Sequence, residues 1–163
     1  MSHDLASFDF FKEQSMSYFF DLILEKSLTP DEVCEAMASA TGLEPKHIRA
    51  DVDLECSLGL SDDYWSQIYI WCHLTRVTGD FHWFFTSFVR KNEMTIDEKQ
   101  IAQNLSNATN SRCLISDGNM FDGDENLYLM FSPYTIEKVV EVYDHDDIEG
   151  ELTSFKLRKI GDI

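Results

Sequence analysis

Acidic side chains crowd one stretch of this sequence. Between Asp117 and Glu151 stand Asp117, Asp122, Asp124, Glu125, Glu137, Glu141, Asp144, Asp146, Asp147, Glu149 and Glu151, against one base, Lys138. Carboxylates at this density form a solvated face of turns, chelate a cation, or present a negative field to a basic partner. Chelation fails on spacing. In a calcium loop starting at Asp117, the sixth position, which needs glycine for the sharp turn, is Asp122; a loop starting at Asp122 puts Leu127 there and Pro133 at the twelfth position. The DHDD run at 144–147 has no matching ligand set either. Cys72 and His73 adjoin, with Cys56 upstream, but no pair has the spacing of a structural zinc site. No metal and no cofactor is expected.

Nucleophilic catalysis has no foothold. There is no Gly-x-Ser-x-Gly and no glycine-rich phosphate loop, and no catalytic pair stands out among 30 Asp and Glu residues. No catalytic residue is assigned and no enzyme activity is expected. The aromatic run FHWFFTSFV (81–89) has only Arg90 and Lys91 beside it, in a chain of net charge −17, so it lacks the attraction that nucleic acid requires. It reads as core packing. The same charge repels anionic lipid. Neither nucleic acid nor a membrane is expected as a partner.

The elements that must position these groups are read from pattern. Residues 15–27 carry apolar side chains at 16, 19, 20, 23 and 24, a helical stripe. Thr29, Pro30 and Glu32 form the start signal of a second helix that runs to about Thr41, with Gly42 as its cap. Residues 43–60 read as a loop. A helix is expected from Asp62 to about Val77, and another from near Thr95 to about Ala108. After that the texture changes. RCLIS (112–116), NLYLMF (126–131), EKVVEVY (137–143) and ELTSFKLRKI (151–160) are strand-like runs separated by turns. The expectation is one α+β domain over 1–163. Its helical part covers about 1–110, and a small antiparallel sheet covers about 111–163. The chain is 44% hydrophobic, enough to fold despite its charge. Cys34, Cys56, Cys72 and Cys113 form no CxxC pair, and Cys34 and Cys72 fall in apolar patterns, so free buried thiols and a reducing, cytoplasmic setting are expected. No signal peptide and no spanning segment are legible.

Residues 30–88 resemble an acyl carrier protein. The helix VCEAMASATG is followed by LEPKHIRADVDL, then SLGL, then a helix, which is the carrier order of parts. Matching Leu58 and Gly59 to the carrier Leu-Gly-x-Asp-Ser-Leu places Ser61 at its Asp, Asp62 at its pantetheine-bearing Ser and Asp63 at its Leu. The resemblance therefore implies a degenerate docking domain without phosphopantetheine. Ser61 itself reads as a helix N-cap, with Asp62 and Asp63 at the positive helix end. In general character, as a small, acidic, catalytically bare domain, the chain resembles the immunity proteins with which bacteria neutralise nuclease toxins. That resemblance implies a basic protein partner, a toxin domain. The residues expected to meet it are Asp117, Asp122, Asp124, Glu125, Asp144, Asp146, Asp147 and Glu149, on turns between strands.

Overall fold

The stretch YFFDLIL (18–24) does not form the expected helix. In the computed structural model, which describes residues 16–52, 60–90, 95–120, 126–141, 154–155 and 157–162, it belongs to strand β1 (Met16–Leu24). Phe20, Leu22 and Leu24 pack on one side of the strand, and Ile23 is buried in a separate cluster on the other. A strand covered on both faces reads as a nearly continuous apolar run, and such a run satisfies a 3.6-residue stripe as readily as a two-residue alternation. The same ambiguity misplaces residues 67–77. The helix that opens at Asp62 is only α2 (Asp62–Ser66), followed by strand β3 (Ile70–Arg76), whose Ile70, Cys72 and Leu74 alternate into the core. The aromatic run becomes strand β5 (Trp83–Arg90), with buried and half-buried residues alternating along most of its length.

Where side chains act on the backbone locally, the sequence signals hold. Helix α1 (Pro30–Thr41) starts at Thr29, whose hydroxyl oxygen accepts from the Glu32 amide at 3.2 Å while Pro30 occupies the first turn. It ends at Gly42, in the left-handed conformation at φ 79°, which glycine adopts without a Cβ penalty. Ser61 caps α2 by accepting from the Tyr64 amide at 3.1 Å. Asp97 caps α3 (Glu98–Thr109) by accepting from the Gln100 amide.

Fold class is the main correction. The helical first two-thirds and small terminal sheet expected from sequence are replaced by one mixed sheet drawn from the whole length of the chain. Its strands are β1, β2 (Ile48–Asp51), β3, β5, β6 (Cys113–Met120), β7 (Asn126–Phe131), β8 (Ile136–Glu141) and β10 (Leu157–Asp162), ordered β10-β8-β7-β6-β1-β5-β3-β2. A second, two-stranded parallel sheet pairs β4 (Thr78–Gly79) with β9 (Ser154–Phe155). Within residues 30–88, α1 and α2 are helices, and residues 48–51, 70–76 and 83–90 are strands.

Two crossovers build the sheet. From β1 the chain passes through α1 to β2, beyond β5 and β3. From β5 it passes through α3 to β6, beyond β1. Both helices pack on the same face, where Val33, Met37, Ile101, Ala102 and Leu105 meet Phe20, Leu22, Phe85, Cys113 and Phe131. The other face is covered in two patches. Trp65 and Ile68 lie on Trp71 at one end, and Val77 and Phe81 join Ile23, Leu114, Met130 and Val139 at the other.

Strand and helix make different demands on neighbouring residues of β1. Leu22→Ala should cost about 2–5 kcal/mol by urea unfolding, because it opens a cavity in the main core. Phe19→Ala, whose ring is 64% exposed, should change stability by less than about 0.5 kcal/mol.

Candidate functional site

Of the acids expected to form a binding surface, Asp117 is described. It lies half-buried within β6, which continues to Met120, so the expected turn does not begin at Asp117. Asp122, Asp124, Glu125, Asp144, Asp146, Asp147 and Glu149 lie outside the described residues. Asp62 and Asp63 are exposed in the first turn of α2. Among the described residues no group of three or more His, Cys, Asp or Glu side chains could hold a metal ion. No helix among them is long and apolar enough to cross a membrane.

The edge of the sheet carries a network that the sequence does not reveal. Asp51, 4% exposed, takes Arg49 in a two-pronged pair, Nε to Oδ2 at 2.7 Å and Nη2 to Oδ1 at 2.8 Å. It also accepts from Trp71 Nε1 at 2.8 Å. Arg49 Nη1 donates to the Tyr64 hydroxyl at 3.0 Å, and the guanidinium carbon lies 5.6 Å from the Tyr64 ring centre. Burial alone would lower the Arg49 pKa, but the Tyr64 and Asp51 bonds outweigh it and leave it raised. The network depends on parallel pairing of β2 with β3, which sets Arg49 beside Trp71. It fastens α2 to the sheet, and Arg90 completes the attachment by donating to the Trp65 and Ser66 carbonyls at 2.6 and 2.8 Å. Its role is to hold α2 in place.

Between the two covered patches of that face runs an open strip. Antiparallel register sets Phe19 opposite Phe88, Asp21 opposite Thr86, and Thr86 opposite His73. Phe19 is exposed, and the Phe19 and Phe88 ring centres are 6.2 Å apart. Asp21, exposed, accepts from the Thr86 hydroxyl at 2.7 Å, which fixes the carboxylate's direction. Phe19 and Asp21 are two apart on one strand, so they share a face. A period-two reading of YFFDLIL, pairing position 19 with 21 and 20 with 22, is the signal that locates them in the sequence.

On the helix side, a groove of about 350 Å³ lies between α1 and the end of α3, with Leu28, Ala36 and Ala108 among its lining residues and Glu32 and Glu35 beside them. Lys26 spans one end, donating to the Thr109 carbonyl at 3.3 Å. Cys34, Cys72 and Cys113 are free thiols. Cys72 and Cys113 are buried, and Cys34 is half-buried. Burial pushes the Cys34 thiol up to about 11 and Cys72 to about 12, and it raises Cys113 as well. Cys56 lies outside the described residues.

No family model matches this chain, and neither a curated protein nor a solved structure matches it. The site is therefore argued from its own geometry.

Two measurements probe this description. Asp51→Ala removes the carboxylate that accepts from the Arg49 guanidinium and the Trp71 indole N–H, and it should cost about 3 kcal/mol in urea unfolding. Asp51→Glu should not restore the loss, because the pairing depends on side-chain length. Site-resolved thiol labelling should reach Cys34 before Cys72 and Cys113, which should label only on unfolding. Because the folded Cys34 pKa lies above neutrality, its thiolate fraction and labelling rate should rise about tenfold per pH unit between pH 7 and 9.

Proposed function

We propose that this chain is a non-catalytic acidic binding protein that neutralises a basic protein partner, and that the partner is a toxin domain of the nuclease type. On this reading the chain is an immunity protein acting in the cytoplasm. The observation that carries the reading is the open strip: an exposed phenylalanine beside an oriented carboxylate, between two covered patches of the sheet face, in a chain of net charge −17. Protein interfaces place aromatic anchors at their centre and charge toward the rim. A nuclease must keep a cationic surface to hold its substrate, and that surface is complementary to a strongly acidic protein. Asp117, Asp122, Asp124, Glu125, Asp144, Asp146, Asp147 and Glu149 contribute the long-range field that speeds encounter, while the strip supplies short-range contact.

The test uses the polypeptide encoded beside this chain's gene. Association should be fast at low ionic strength and slow by at least about tenfold as salt screens the field. Changing Asp122, Asp124, Asp144, Asp146 and Asp147 in groups to Asn should lower the association rate and flatten its salt dependence, with the melting temperature held. Binding in excess should abolish the partner's cleavage of nucleic acid. Salt-independent association with unimpaired cleavage would exclude the reading.

A further inference from the structure

We infer that the strip is an arginine seat. The Phe19 ring, backed by Phe88, and the Asp21 carboxylate together receive one arginine side chain of the basic partner, an inference that rests on the binding function proposed above.

The chain builds the same seat twice for its own arginines. Arg112 lies with its guanidinium carbon 5.2 Å from the Phe81 ring centre, while Nε and Nη2 each reach Glu25 Oε2 at 2.6 Å. Arg49 lies 5.6 Å from Tyr64 and 5.9 Å from Trp65, with its fork on Asp51. Each time, an aromatic ring meets one part of the guanidinium and a carboxylate meets its N–H edge. Phe19 and Asp21 offer the same two groups, and among the described residues no cation occupies them. Their spacing, about 6.5–7 Å along one strand face, lets a planar guanidinium lie within about 6 Å of the ring centre while its edge points to the carboxylate. The carboxylate is already aimed: Thr86 holds Oδ1 at 2.7 Å, and none of the described residues bonds Oδ2.

Other occupants fit less well. An apolar partner segment would cover Phe19 but leave Asp21 desolvated and unpaired. A second copy packed about a two-fold axis through the strip would bring Asp21 toward its symmetry mate, between molecules that each carry −17. Lysine supplies the charge but not the flat fork that both stacks and pairs.

The experiment titrates the isotope-labelled chain with three blocked tripeptides, each with glycine on both sides of arginine, lysine or citrulline, and follows backbone amide signals. The arginine peptide should move the amides of 19–21 and 86–88, the lysine peptide should move them less, and citrulline should leave them in place. Phe19→Ala and Asp21→Asn should each abolish the arginine response, and both should keep the wild-type melting temperature, because neither residue is in the core. The same two variants should bind the adjacent-gene polypeptide at least about tenfold more weakly than wild type, the scale of a central interface contact. Equal shifts for arginine and citrulline, or arginine shifts confined to other surfaces, would overturn the seat. So would a concentration-dependent dimer that Phe19→Ala dissolves, which would assign the strip to a second copy. If wild type and both variants bind the polypeptide equally, the seat falls and the function stands. If wild type does not bind it at all, the proposed function falls, whatever the peptides show.

Discussion

The sheet hangs on β1. Within the eight-stranded sheet, β2, β3 and β5 on one side of β1 and the meander β6-β7-β8-β10 on the other meet through this strand alone; outside that sheet, the short β4–β9 pairing is a second link. Its bond to β5 is long, running from Met16–Arg90, across one register shift before Tyr18, to Leu24–Trp83. Its bond to β6 is short, with Ile23–Leu114 and Leu24–Cys113 as the paired residues. Side chains at that narrow join compensate for the few backbone contacts. Leu24 and Cys113 are fully buried on the helix side and Ile23 and Leu114 are buried on the other, while the Glu25 carboxylate accepts from both the Arg112 amide and its guanidinium. Burial of four apolar side chains at one seam contributes several kcal/mol, at roughly 1.5–3 kcal/mol each.

This arrangement also accounts for the open strip. Past Ile23, toward Phe19, β1 keeps β5 and no longer runs in register with β6. The cluster around Phe81 ends at Ile23 and Phe84, and the cluster under α2 ends at Trp71 and Phe88. Asp21, Thr86 and His73 lie in the row between them. Polar residues occur where neither cover reaches, so the strip is set by where the two covers stop.

How much of this was readable depends on how local the controlling force is. The α1 cap, Thr29 with Glu32, acts across three residues, and it was legible. So were Gly42 and Ser61, and the later strands, whose alternation is bounded by turn residues; the helix expected from near Thr95 starts instead at Glu98, with Asp97 as its cap. β1, β3 and β5 were not legible. Each is apolar on the helix-bearing face and partly apolar on the other, and the coverage that makes this so comes from α1, α3, α2 and the Phe81 turn, all distant in sequence. The Arg49–Asp51–Trp71 network needed the parallel register of β2 on β3, which no local pattern encodes. In the candidate site, Asp21 was one acid among thirty until the strand set it beside Phe19. Attention to acid density led instead to the 117–151 stretch, most of whose acids lie outside the described residues.

The order of strands in the sheet also bears on how the chain acquires its structure during synthesis. β1 leaves the ribosome before both of its partners, β5, at 83–90, and β6, at 113–120. Until they arrive, YFFDLIL is a seven-residue segment with one charge and no proline, the composition that pairs with copies of itself. Long-range pairings of this kind form slowly because loop closure comes before any reward from contact. Asp21 interrupts the apolar run at its centre. A charge at the centre of such a run is the kind of residue that opposes stacking of one nascent strand on another.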